Sequence, residues 1–157
     1  MGLEERTPDQ LDQIISDRER VIAQARAEQI AAIREQKAYQ TPLADGYRSM
    51  VDWLAARADI SHQTARSLCW TTTRLEEAPE VEEALISGEI TFDRAEQLAQ
   101  LPADERADHE CFDIGQLRKR AAHHRRLTRT REKEIAEGTF LNFQPSLDET
   151  TTSMWGE

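Results

Sequence analysis

Residues 53–101 read WLAARADISHQTARSLCWTTTRLEEAPEVEEALISGEITFDRAEQLAQL, and the punctuation of this stretch decides the fold. Just before and inside it, Tyr47, Met50, Val51 and Leu54 recur at helical spacing, and the run breaks at Asp59. Ser61 then stands where an N-cap belongs, its hydroxyl placed to accept from an orphan N–H of the next turn. The helix that follows carries Ala65, Leu68 and Cys69 on one face and ends before Pro79, which suits the first turn of a third helix. Gly88 closes that third helix. Thr91 caps a fourth, with Phe92, Ala95, Leu98 and Ala99 as its apolar positions and Pro102 as its stop. Two helices joined by a tight turn at Ala58–Ser61 form a helix-turn-helix pattern.

Outward from this centre, Thr7-Pro8-Asp9-Gln10 has the spacing of a capping box and opens a helix that runs almost to Gln40. Its apolar stripe is Leu11, Ile14, Ile15, Val21, Ile22, Ala25, Ile30 and Ile33. At about 45 Å this helix is longer than a small domain is wide. It therefore lies across the whole body or offers its stripe to a second copy, as a homodimer. Arg18 and Gln29 interrupt the heptads and argue against a long regular coiled coil. Thr41-Pro42 breaks the helix, and Asp45-Gly46 starts the next. After Pro102 an acidic stretch, ADERADHECF, reads as a short helix or a loop. Asp113 and Gln116 then form a second capping box, opening the basic helix IGQLRKRAAHHRRLTRTREKEIAEG, with Ile114, Leu117, Ala121, Leu127 and Ile135 as a loose apolar stripe. The residues after Gly138 turn β-branched and aromatic on either side of Pro145-Ser146-Leu147-Asp148, which predicts a hairpin. A lone hairpin is marginal in water, so it reads as the start of a sheet that something else completes.

The expected class is mainly α: a multi-helical domain with a helix-turn-helix-like centre, a long N-terminal helix and a short C-terminal β-hairpin. Its segments are the N-terminal helix (1–41), the helix-turn-helix-like core (42–102), the acidic segment with the basic helix (103–138) and the hairpin (139–157).

The 157 residues carry a net charge of −10, but the charge is segregated. Residues 76–110 hold 12 acidic and 2 basic side chains, and residues 116–133 hold 8 basic and 1 acidic. Screening over about 8 Å makes local charge dominate, so a chain repelled by nucleic acid overall can still dock through one basic face. The alternative is that the acidic and basic segments pack against each other. No run is apolar enough to span a membrane and no signal segment opens the chain, so a cytoplasmic location is expected. Cys69 and Cys111 lack metal-site spacing and read as reduced thiols.

Nothing in the residues argues for catalysis, a metal or another cofactor. His123 and His124 are adjacent and point about 100° apart on a helix, which does not make a ligand pair. His109-Glu110-Cys111 has ligand types without a partner cluster, and no serine sits in a nucleophile motif. His62 reads as a polar first-turn residue or as a companion to the base-reading set. For double-stranded DNA, Gln63, Thr64 and Arg66 at the start of the second helix can read bases or grip phosphates. Arg118, Lys119, Arg120, Arg125, Arg126, Arg129 and Arg131 make the basic helix the stronger electrostatic candidate. Trp53 and Trp70 read as core.

These residues resemble the domain of unknown function 222 family, the thirteen-E-twelve repeat proteins of mycobacteria and relatives. The likeness covers nearly the whole chain and is carried by GYRSMVDWLAARADIS (46–61), Thr64-Ala65-Arg66, APEVEEALISGEITFDRAEQLA (78–99) and FLNFQPSLDETTTSMWGE at the end. Ser61 to Leu101 is also similar to the helix-turn-helix of ParB-type partition proteins. The first resemblance implies a helical N-terminal region followed by an HNH nuclease domain. An HNH site needs a histidine, an asparagine and further metal ligands. Here Asn142 is the only asparagine, no histidine follows His124 and there is no CxxC pair, so the nuclease half is absent from this chain. The implied function is a non-catalytic, DNA-associating region of an HNH-endonuclease-type protein. The competing class is a structural or protein-interaction module that dimerises through its first helix without binding nucleic acid.

Overall fold

The computed structural model of the chain describes residues 6–107, 109–138, 142–145 and 152–155. It is mainly helical. Helix α1 (Pro8–Ala38) starts on the expected capping box: the Thr7 N–H donates to Gln10 Oε1 at 2.9 Å, and the Gln10 N–H donates to Thr7 Oγ1 at 3.3 Å. Gln40, in the left-handed region at φ 56°, turns the chain into the short α2 (Thr41–Ala44). The next helix, α3 (Met50–Ala58), starts later than Asp45-Gly46 would place it. Ser49 caps it, its Oγ accepting from the Asp52 N–H at 3.1 Å, so Tyr47 lies before the helix and is exposed.

Asp59, at φ 51°, ends α3, and Ser61 caps α4 (His62–Leu75) by accepting from the Thr64 N–H at 3.0 Å. Proline opens α5 (Pro79–Ser87) and Gly88 closes it. Gly88 has φ 74°, and a Cβ there would run into the Arg20 side chain of α1, so both backbone shape and close approach require glycine. Thr91 caps α6 (Phe92–Leu98) through the Arg94 N–H at 3.3 Å. The acidic stretch supplies the single turn α7 (Ala103–Arg106) and a 3₁₀ turn at His109–Cys111. Asp113 and Gln116 exchange bonds of 2.9 and 2.8 Å as the expected box, opening α8 (Ile114–Gly138). Two short strands, β1 (Asn142–Pro145) and β2 (Thr152–Trp155), pair antiparallel with Asn142 opposite Trp155. The turn of the expected hairpin lies outside the described residues.

The core has two parts, and α1 belongs to both. Ala23, Ala27 and Ile30 join Leu75, Val81, Leu85, Ile90, Leu98, Leu101 and Leu117 in the larger one. Ile33 joins Trp53, Leu54, Ala55, Ala65 and Leu68 in the smaller, and Phe92 touches each. Alanines at 23 and 27 let neighbouring helices approach closely, and Arg34 clamps α1 to α5 with bonds of 2.9 and 3.2 Å to the Glu82 carboxylate. Hydrogen bonding by Glu82 is the main reason the Arg34 pKa rises further above its ordinary range.

Two apolar stripes are therefore split by the packing. On α1 the buried face is Ala23, Ala27, Ile30 and Ile33, whereas Leu11, Ile15, Val21 and Ile22 are 45–62% exposed. At 100° per residue Ile15 shares the azimuth of the buried Ile33, and Leu11 and Ile22 lie within about 40° of it, so these side chains are exposed because of where they stand along α1 and not because they face the opposite way. On α8, Leu117 and Ala121 are buried but Leu127 and Ile135 are exposed, because the second half of that helix extends beyond the body's apolar contacts. No helix among the described residues is long and apolar enough to cross a membrane.

Candidate nucleic-acid interface

The cap at Ser61 fixes which way α4 faces. With Ala65, Leu68, Thr72 and Leu75 buried, the opposite face presents Gln63, Arg66, Ser67, Trp70 and Arg74, one stripe at spacings of 3, 4, 7 and 11. The second capping box does the same for α8. Burial of Leu117 and Ala121 turns Arg118, Arg125 and Arg129 toward α4. The two stripes wall a trough whose floor is Glu96, Gln97 and Gln100 of α6 and the residues after it. The half next to the helix-turn-helix has a volume of about 780 Å³, and the half toward Arg74, Pro102 and Thr128 about 460 Å³. Both halves are lined by Trp70, Gln100, Arg125 and Arg129, so they meet at the indole.

The charge of the trough opposes that of the chain. Arg66, Arg74, Arg118, Arg125 and Arg129 line it against Glu77, Glu96 and Glu132. Arg66, Arg125 and Arg129 make no ion pair within 4.0 Å among the described residues, and Arg118 has an exposed one, 3.4 Å from Asp93. Such an exposed pair is worth at most about 1 kcal/mol and leaves Arg118 available. The Arg74 guanidinium lies 5.4 Å from the Trp70 ring centroid, a cation–π contact. Glu96 is held on the floor by donation from Ser67 Oγ and from Gln97 Nε2 at 3.1 Å.

Of the residues singled out in the sequence, five come together here: Gln63, Arg66, Arg118, Arg125 and Arg129. Four do not. Thr64 spends its hydroxyl on Ser61 Oγ at 2.9 Å, within the N-cap. Lys119 and Arg120 line a separate hollow with Glu105, His123 and His124. In it Arg120 sits 3.6 Å from Glu105 and 4.0 Å from the Phe112 ring centroid, and His124 Nε2 is 2.7 Å from the same carboxylate. Arg126, one step round the helix from Arg125, is exposed and lines neither half of the trough. Among the described residues the acidic and basic segments meet through Asp93 and Glu105.

Trp70 departs from the core position expected of it: Leu68 and Leu75 take the interior while Trp70 is half-buried beside Arg74. Trp53 is buried as expected, its Nε1–H donating to Asp45 Oδ2 at 2.7 Å. Arg74, Glu96 and Gln100 were not singled out. The polar spacing 63, 66, 67, 70, 74 on a helix whose other face is apolar was the signal for the α4 wall. His62 turns back to Asp52 at 3.2 Å and braces α3 against α4; donation by Ser49 is the main cause of a lowered Asp52 pKa. Arg106 is buried and structural, donating to Leu101 O at 2.7 Å, Glu77 O at 3.2 Å and Glu80 Oε1 at 2.7 Å. Burial raises the Cys69 pKa, which makes that thiol a poor nucleophile. No group of three or more histidine, cysteine, aspartate or glutamate side chains among the described residues is placed to hold a metal ion.

Compared with known proteins, the chain matches no family model, no curated protein and no solved structure.

Proposed function

We propose that this chain is a non-catalytic, DNA-associating module of the kind that precedes the nuclease in HNH-endonuclease-type proteins, and that the α4–α8 trough is where phosphates are gripped. The observation that supports it is convergence. Arg66 from the helix-turn-helix and Arg118, Arg125 and Arg129 from the basic helix, 52 or more residues further along the chain, share one groove. In a chain of net charge −10, this clustering gives one groove an excess of positive charge to which a phosphate would be drawn. Guanidinium groups suit phosphate, since their planar donors match its oxygens.

The test is fluorescence anisotropy with labelled DNA, offered as duplex and as single strand, at about 50 mM salt and micromolar protein. Binding that weakens with salt and is reduced by Arg125→Ala with Arg129→Ala supports the reading. Absence of binding to either form overturns it. Whether the coding frame continues beyond Glu157 into histidine- and asparagine-bearing sequence tests the HNH parentage.

A second reading has its own observation. The exposed stripe of α1, Leu11, Ile15, Val21 and Ile22, places Leu11, Ile15 and Ile22 at heptad positions and leaves them in water. This favours a homodimer through the first half of α1. The two readings are compatible, because the stripe and the trough involve different helices.

A further inference from the structure

We propose that the trough takes a single strand of nucleic acid, with an unpaired base stacked on Trp70. This rests on the phosphate-binding reading above and specifies which form of nucleic acid satisfies it.

Three observations carry it. First, Trp70 lies where the two halves of the trough meet, half-buried and flanked by Arg74, Arg125 and Arg129. A large aromatic in a cation-lined groove is a stacking platform: every base has a π-face, and each stack on an aromatic contributes about 1–3 kcal/mol. Second, the charges are layered. The arginines occupy the walls while Glu96 lies on the floor, anchored by Ser67 and Gln97. A phosphate on the floor would face that carboxylate, whereas a base there brings exocyclic amino donors to it. Third, the Gln100 side chain donates to Glu96 O at 2.9 Å and so braces the floor beneath the Glu96 carboxylate. The floor therefore offers the Glu96 carboxylate and the walls offer guanidinium donors, which matches a strand lying with bases inward and phosphates outward. A duplex offers phosphates and base edges but keeps its base faces stacked inside, so the Trp70 ring has no face to stack on.

The probes are a mixed-sequence strand of about 12 nucleotides, comparable with the footprints of known single-strand binders, and the same strand annealed to its complement. The whole chain is titrated against both by anisotropy. The single strand is expected to bind more tightly than the duplex. Trp70→Ala should weaken it by about 5- to 150-fold, the range set by one lost stack, while changing duplex binding less than about twofold. Trp70→Phe keeps a ring and should restore most of the affinity, which guards against a loss that merely reflects misfolding. Tryptophan fluorescence is the second readout: the strand should quench the wild type, and the quench should be lost in Trp70→Phe.

Equal or tighter duplex binding, an equal effect of Trp70→Ala on both probes, or a quench that persists in Trp70→Phe would overturn the proposal. If both probes bind with salt dependence but Trp70 is indifferent, only the base-stacking step fails and the phosphate reading stands. If neither probe binds, the phosphate reading itself has failed.

Discussion

Removing Arg125 and Arg129 together, with Arg126→Ala as the matched control, asks whether the trough wall or the whole basic helix meets phosphate. Four wall arginines, Arg66, Arg118, Arg125 and Arg129, are placed to do so. Each contact contributes a slope of about −0.9 on duplex DNA, or about −0.7 on a single strand, to log affinity against log salt. Four contacts give about −3.6 or about −2.8, a loss of about 150-fold or about 50-fold between about 50 and 200 mM salt. With Arg125 and Arg129 gone the slope should halve, and the same change in salt should cost only about 12-fold or about 7-fold. Arg126→Ala should leave the slope of the wild type. All three arginines are exposed and make no ion pair among the described residues, so the melting temperature should stay within a degree or two and binding is read on folded protein. The assay is anisotropy of a labelled oligonucleotide at four or more salt concentrations. A slope that Arg126→Ala flattens by about 0.9 on duplex or about 0.7 on a single strand, the share of one full contact, would refute the trough, since the contacts would then be spread around α8.

Ile15→Asp with Ile22→Asp should leave helicity and melting intact, because both side chains are largely exposed, at 62% and 48%; if α1 dimerises the chain, light scattering should fall from dimer to monomer mass. Unfolding by this pair would contradict their exposure. The chain should not nick DNA with Mg²⁺, Mn²⁺ or Zn²⁺, and nicking that a single histidine-to-alanine exchange abolishes would sink the non-catalytic reading. Donation by Arg106 holds the Glu80 pKa below the ordinary glutamate range. The pair's contribution is therefore complete above that range and disappears as pH falls through the lowered value. Glu80 is half-exposed, so the contribution is under about 1 kcal/mol, and urea melts of Glu80→Gln should differ from wild type at neutral pH and converge with it in acid.

What the sequence made legible was local. Thr7 with Gln10, Ser61 with Thr64, Thr91 with Arg94 and Asp113 with Gln116 are each three residues apart, and a cap is a bond across that distance. Ser49 escaped notice because Asp45-Gly46 is the louder turn signal four residues earlier. The trough was half legible. Residue types that grip phosphate could be named on both helices, but which arginines share a wall depends on how Leu117 and Ala121 roll α8 against α6. That roll is a packing outcome, with no signature in the basic run itself, and it separates Arg125 from Arg126. Trp70 was misplaced for the same reason: hydrophobicity argues for burial, while the space beneath α4 is filled by Leu68, Thr71, Thr72 and Leu75.

Because α1 runs through both parts of the core, the two cannot melt one after the other. Loosening either strips the shared helix of half its cover and exposes Phe92 between them. Cooperativity therefore resides in the stretch from Ala23 to Ile33, whose amides should exchange with solvent only through global unfolding. Residues 8–20 of the same helix are almost wholly exposed, so their amides should exchange by fraying from Thr7 inward. One continuous helix thus holds both strongly and weakly protected hydrogen bonds, and a gradient of exchange along it would report where the fold ends and a surface for partners begins.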